Sequence, residues 1–466
     1  MGARSGGLAG PSEVNRQSEP ISGVMQIPSS PIRPLLKKII AQGLRAVDAH
    51  AAVSRAISMN GDELMIGRHR YDLNRYGRVV VVGAGKATAS MARAAEQRLG
   101  RWLHSGFVVV KRGHDVPLKR IAVAEAGHPI PDLSGQMAAV KLTSMVSALG
   151  QRDLLVVLLS GGASSLLPAP VVGLTLADKQ RTTERLLRCG ATIQEINTVR
   201  KHLSRIKGGR LAELTEAAVV TLILSDVLGD DLSVIASGPT VPDPTTYREA
   251  VAIVKRYRMW RAIPQRVRQH LDRGCRGHVS ETPKPGSTVF RRVRHHIVGN
   301  HRAAVDAVAR AARAEGLRVF VHGAVTGEAR KAGKRFGLMA KTMLCEEIRM
   351  RRPCCVVAGG ETIVTVTGRG KGGRAQEFAA AAALEIAGLS KVWVAAIGTD
   401  GTDGPTDVAG AVVDGNTVDR ARHLKVDLEC ALKRHNIYPA LKTLHQLIVT
   451  GPTGTNVNDL YLLLML

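Results

Sequence analysis

Aromatic residues are scarce, at 3 % of the chain. Stacking platforms for single-stranded nucleic acid therefore have few candidate residues. Acidic residues are also short in supply, with 39 Asp and Glu against 65 Lys and Arg and a formal net charge of +26. That balance suits anionic partners or a strongly solvated surface. The arginines are spread along the whole chain, and no zinc finger, RNP motif or heptad-linked basic region accompanies them. No nucleic-acid partner is expected. No apolar run approaches the ~18 residues of a membrane helix, so no membrane partner is expected either. Cysteines are few: Cys189, Cys275, Cys345, Cys354, Cys355 and Cys430 form no CxxC and no zinc spacing with histidine. Reduced thiols in a cytoplasmic compartment are the expectation.

What is present is an alternation of short β-branched runs with longer helical patterns. At 466 residues the chain exceeds one hydrophobic core, so two domains are expected. Residues 1–35 are rich in Gly, Ser and Pro and lack periodicity, which predicts a disordered extension. They contain no apolar signal core, and Glu13 and Glu19 argue against a transit peptide. The runs at 78–85, 106–111, 153–162 and 217–226 are apolar enough for strands buried on both faces of a parallel sheet. Thr175 with Asp178 and Thr192 with Glu195 have the spacing that opens helices. The Pro/Gly/basic stretch 281–292 reads as a linker. The expected organisation is α/β, with domains at 36–280 and 290–466 and residues 354–368 forming two β runs.

Chemistry concentrates at strand ends. "VVVVGAGKATA" contains Gly83, Gly85 and Lys86, a Gly turn and a cation before a helix. It is no Walker A motif, and Thr88 breaks the dinucleotide fingerprint. A tight turn with an exposed lysine competes with an anion-facing one. "LLSGGASSLL" offers Ser160, Gly161, Gly162 and Ser164 as an anion nest, or only a turn. After the fourth strand come Asp226, Asp230 and Asp231; Asp226 or Asp230 suits metal or base chemistry, and one of the set suits an N-cap. "VTGRGKGGRAQEF" brings Gly372, Gly373 and Arg374, a loop able to wrap an anion and grip it bidentately. Lys207 lies in a second basic GGR stretch that a capped helix end explains nearly as well. "GTDGTDGPTD" crowds Asp400, Asp403 and Asp407 onto one loop, which suits either a hard divalent cation or a solvated turn. With no nucleophile–His pair and no GxSxG elbow, the inventory favours phosphoryl transfer by positioning and charge neutralisation.

These stretches, with "GHPIPD" (127–132), "INTVRKHLSRIKGGRLA", "SDVLGDDLSVIASGPTVPDPT" and "TGPTGTNVNDL", run in order from about residue 80 to 460 and together resemble the class II glycerate 2-kinases. The resemblance implies a larger Rossmann-like domain and a smaller C-terminal α/β (MOFRL) domain, with the site in the cleft between them. It implies ATP-dependent phosphorylation of D-glycerate to 2-phosphoglycerate with Mg²⁺, and leaves room for a homodimer. By motif, Lys86 and Arg374 resemble the family's active-site lysine and arginine. Asp226 and Asp400 are assigned to catalysis and Asp230 and Asp403 to metal binding, with base and metal ligand left interchangeable among the four. Gly83, Gly85, Ser160, Gly161, Gly162, Ser164, Lys207, Gly372 and Gly373 are carried over as substrate- or nucleotide-binding. Ala375 stands where the family usually has Asn, and Leu228 where it often has Pro. An NAD(P)H-dependent hydroxypyruvate reductase is the competing expectation.

Overall fold

The computed structural model describes residues 25–345 and 352–466. Strands β1 (Ile57–Asn60), β2 (Glu63–Ile66) and β3 (His69–Asp72) form a small antiparallel meander. β4 (Arg78–Ala84), β5 (Leu103–Lys111), β6 (Ile121–Ala126), β7 (Asp153–Leu159), β8 (Ala218–Leu224) and β9 (Val293–Gly299) build a sheet in the order β6-β5-β4-β7-β8-β9. Every pairing in it is parallel. Both faces are covered, as its apolar runs demand. Val79, Val81, Leu154, Val156 and Leu158 face one core, while Val80, Val82, Leu155 and Val157 face the other. Strand order reverses between β4 and β7, the doubly wound arrangement in which ligands sit at the carboxyl ends of the strands flanking the reversal.

The second sheet is mixed. β10 (Arg318–Val321), β11 (Val325–Glu328), β12 (Cys354–Ile363), β13 (Val392–Gly398), β14 (Gly410–Asp414), β15 (Leu447–Ile448) and β16 (Asp459–Met465) lie in the order β10-β12-β16-β13-β14-β15, with β11 also on β12. Its core strands β13 and β16 are buried throughout. One face packs on helices Ala329–Cys345 and Arg374–Ile386. The other shares a single core with the first sheet, through helices Arg33–Ala46 and His301–Ala314. Helices Leu176–Arg188, Ile193–His202, Tyr247–Arg256 and Gln265–Cys275 form a separate helical lobe around Tyr247. The Thr175/Asp178 and Thr192/Glu195 capping boxes are both closed.

Three expectations differ from the fold. Residues 293–299, expected to open the second domain, instead pair with β8 as the last strand of the first sheet. Residues 354–363 are one long strand rather than two runs, because β12 is flanked on both sides by partners along its length. Of the extension expected to be disordered, residues 1–24 lie outside the described residues, but Met25, Ile27 and Ile32 are buried and Gln26 bridges Val449. Their apolar side chains are too well covered to leave the core. Among the described residues no helix is long and apolar enough to cross a membrane.

Candidate active site

The turn after β4 is held by the turn after β7. The Lys86 amide donates to the Gly161 carbonyl at 2.9 Å. Ser160 Oγ accepts from the Ala87 amide at 3.1 Å and lies 3.0 Å from Thr88 Oγ1. Gly85 has φ +143 and lies against the Ser160 hydroxyl and carbonyl, so the turn has no room for a side chain there. With its backbone fixed, Lys86 projects from the strand-order reversal, and its Nζ reaches Asp400 Oδ2 of the second sheet at 3.1 Å.

Asp400 is held just as firmly. It follows β13, and Thr399 donates its amide (3.0 Å) and its hydroxyl (2.6 Å) to the Asn458 carbonyl. Asp400 Oδ1 accepts from the amide and hydroxyl of Thr402, an Asx turn. Both partners of the Lys86–Asp400 pair keep under a fifth of their side-chain surface exposed. Arg374 opens the helix Arg374–Ile386, where the helix dipole disfavours a cation. Two carboxylates offset this. Asp459 takes Nε and Nη2 at 2.8 and 3.0 Å, and Glu361 takes Nη1 at 2.7 Å. Burial works to lower the pKa of Arg374, but these two acids hold it above the ordinary range.

Between these walls lies a cleft of about 360 Å³ whose lining includes Lys86, Asp226, Asp400, Glu361 and Arg374, along with His128, Gly162, Ser164, Asn197, Arg200, Asn456 and Asn458. Burial, reinforced by the neighbouring Glu361 charge, pushes the Asp226 carboxyl up to about 6. Burial likewise lifts Asp459 to about 7 against the pull of Arg374. His128 falls to about 4, mainly through burial and then through Lys86, so its imidazole is neutral near pH 7.

Lys86, Asp226, Asp400, Arg374, Gly162 and Ser164 thus meet in one place, and Gly161 packs against Asp226 and Asn456 beneath it. Gly85 shapes the turn, and Lys207 is buried behind Ser164 and donates to its hydroxyl at 2.6 Å. Other expected members have different work. Gly83 sits within β4 against the Leu158 carbonyl, and Ser160 is buried with its hydroxyl committed to the β4 turn. Gly372 packs on Ile437 and Gly373 on Asp403, away from the cleft. Asp403, expected to bind metal, is buried and caps the helix. Its Oδ1 accepts from the Ala375 amide at 3.0 Å, and Oδ2 from the Gln376 amide and side chain at 2.9 Å each. Asp230 accepts from Asn300 Nδ2, tying its loop to the start of helix His301–Ala314, outside the cleft. Asp407 accepts from the Tyr438 hydroxyl at 2.9 Å. The crowded acidic loop is therefore held by a lysine, a helix end and a tyrosine in turn, not by one cation. Glu361, Asp459, His128 and Arg200 were not singled out in advance. The signal for Arg200 was a cation on a helix that also carries Ile196 and Val199 into a core.

Among the described residues no group of three His, Cys, Asp or Glu side chains could enclose a metal ion. A Mg²⁺ bound through one or two carboxylates plus substrate phosphates needs no such cage. For that lesser demand the cleft offers two carboxylates, Asp226 and Glu361.

The family described as Domain of unknown function (DUF4147) matches residues 35–272, and the MOFRL family matches residues 354–459. The chain is 40 % identical to a glycerate 2-kinase of Pyrococcus horikoshii over 92 % of this chain and 96 % of that one. It is 43 % identical to a protein of Agrobacterium vitis provisionally named a hydroxypyruvate reductase, over 84 % of this chain and all of that one. A crystal structure of a glycerate kinase from Thermotoga maritima superposes with a TM-score of 0.81 at 38 % identity, covering 93 % of this chain and 99 % of that one. With sheet order, cleft and both domain matches in agreement, the chain belongs to the glycerate 2-kinase family that joins this domain to a MOFRL domain.

Proposed function

We infer that the protein is a glycerate 2-kinase, moving the terminal phosphoryl group of ATP to the 2-hydroxyl of D-glycerate in the cleft between Lys86 and Arg374. The observation that carries this reading is the Lys86–Asp400 pair, which sets the strand-order reversal of one sheet against the acidic loop of the other. The bond from the glycerate oxygen to the γ-phosphorus forms as the bond to the β-phosphate oxygen breaks, and ADP leaves. Such transfers depend on positioning and charge stabilisation more than on covalent help from the protein. Lys86 faces the transferring phosphoryl group. Arg374 uses three of its five N–H donors on Asp459 and Glu361 and keeps two for the glycerate carboxylate. Asp226, pushed up to about 6, is ionised at pH 7 yet basic enough to take the hydroxyl proton. Asn197, Asn456 and Asn458 offer polar groups for the remaining hydroxyl. Glu361 would hold Mg²⁺ with the phosphate oxygens, and the ion, when bound, supplies neutralisation of phosphate charge. A cytoplasmic location and a homodimer remain part of this reading on sequence grounds alone.

One assay tests it: ADP formation from ATP plus D-glycerate with and without Mg²⁺, run beside NADPH oxidation by hydroxypyruvate. Mg²⁺-dependent ADP and 2-phosphoglycerate with no NADPH oxidation are expected. Rapid NADPH oxidation without ADP would instead support the activity in the name of the Agrobacterium vitis relative, although the turn after β4 lacks the third fingerprint glycine.

A further inference from the structure

A second cavity, of about 650 Å³, adjoins the cleft and shares His128, Gly162, Ser164 and Arg200 with it. Three cations meet where the two join. Lys179 comes from helix Leu176–Arg188, Arg200 from helix Ile193–His202, and Lys207 from the segment beyond. Lys179 is 7 % and Lys207 2 % exposed. Arg200 Nη2 donates to Ser164 Oγ at 2.7 Å, and Lys207 Nζ donates to the Ser164 carbonyl at 3.0 Å. Lys179 Nζ is buried with no hydrogen-bond partner among the described residues.

Among the described residues no carboxylate pairs with this group. Burial depresses all three, holding Lys179 at about 7 and Arg200 at about 10, and the neighbouring cations lower Lys179 and Lys207 further. The nearby acids are committed elsewhere. Asp178 closes the capping box with Thr175, and Glu184 pairs with Arg188 at 2.7 Å. Buried like charges with an unsatisfied donor cost free energy unless an anion joins them. Farther out the wall turns apolar, with Leu176 lining it and Ile130 (71 % exposed) and Leu187 (62 % exposed) at its mouth. A ligand that matches has an apolar end and a polyanionic end. At the inner end, Gly162 lies between the side chains of His128 and Lys86, so a chain of phosphates passing Ser164 arrives at Lys86.

We propose that Lys179 and Arg200 hold the non-transferred phosphates of the nucleoside triphosphate, with Lys207, whose three N–H donors are spent on Ser164 and Ala236, adding only its charge behind them, and with the nucleoside between Ile130, Leu176 and Leu187. This deepens the kinase reading and rests on it for the identity of the terminal acceptor, not for the binding itself.

The test is the affinity of ADP, tripolyphosphate and 2-phosphoglycerate for the full chain, measured by calorimetry. Lys179→Met should weaken ADP and tripolyphosphate by roughly tenfold or more, the loss of a charge-assisted contact. Lys179→Arg should restore most of that, and 2-phosphoglycerate affinity should change less than about twofold, since its own subsite is at Arg374. Leu187→Glu, an exposed position that leaves folding intact, should weaken ADP while tripolyphosphate binds as before. The proposal is overturned if Lys179→Met binds ADP like the wild type. It is also overturned if 2-phosphoglycerate is the ligand that Lys179→Met loses, which would assign the cations to the acceptor side. If the wild type phosphorylates glycerate and Lys179→Met keeps its ADP affinity, this proposal alone fails. If ADP binds through Lys179 but glycerate is not phosphorylated, the kinase reading alone fails.

Discussion

Replacing Asp403 separates two tasks an acidic loop can have. Its carboxylate accepts from two backbone amides at the start of helix Arg374–Ile386 and from the side chain of Gln376, and it is 3 % exposed. Asp403→Ala removes the cap, worth about 0.5–2 kcal/mol. It also strands the buried Gln376 amide, worth a further ~1–3 kcal/mol. The sum is a loss of about 2–5 kcal/mol. Asp403→Asn keeps one acceptor oxygen and should lose about half as much. Burial raises the Asp403 pKa despite its donors, so part of either loss is offset by no longer burying a charge. The assay is urea unfolding followed by Trp393 fluorescence, with Trp102 and Trp260 changed to Phe so that only β13 reports. At a temperature where both variants stay folded, the Mg²⁺ concentration for half-maximal activity should match the wild type. Stability unchanged within about 0.5 kcal/mol, together with a tenfold or greater rise in the Mg²⁺ requirement, would refute the cap and restore the ligand.

Two further outcomes follow from titrating groups. The kcat/KM for glycerate should rise with pH through about 6 and level off above it, because Asp226 acts as base only when ionised. Asp226→Asn should abolish that limb and cut the rate by about 10²–10⁴; a profile that keeps its limb in the variant assigns the proton to another group. Glu281 is pushed up by burial, but hydrogen bonds from His202, the Tyr247 amide and Lys284 outweigh this and hold it at about 2. Because its folded-state pKa lies below the ordinary 4.5, its contribution is complete above that pH and fades as pH falls toward about 2. Glu281→Gln should thus be less stable than wild type at pH 7 and equal to it near pH 2; a stability gap that stays constant with pH contradicts the linkage.

Much of this was legible in the sequence where local chemistry and the fold agree. The apolar runs at 153–159 and 218–224 named central strands because nothing but a sheet covered on both faces accepts them. Lys86 was legible because a cation directly after a strand and a Gly turn has few other uses. Asp403 was not, because an aspartate capping a helix 28 residues back in the chain looks the same in sequence as one binding metal. The three-cation cluster was invisible for a related reason. Lys179 stands on a helix so rich in charge that only the fold shows its ammonium buried without a partner. The linker misled because residues 281–292 lead from the helical lobe back to the first sheet, and the pairing of β9 with β8 depends on contacts far apart in sequence.

The most direct measurement is single-turnover transfer of the labelled γ-phosphoryl group from ATP to D-glycerate by Lys86→Met. The pair with Asp400 is largely buried, so Lys86→Met strands that carboxylate at a cost of up to about 3–5 kcal/mol, and rates are compared where the variant is folded. Loss of a fixed donor aimed at the transferring group should slow transfer by about 10²–10³. A folded variant that transfers phosphate within about threefold of the wild-type rate would mean that this lysine does not face the reacting phosphate, and the cleft would lose its claim to be the site.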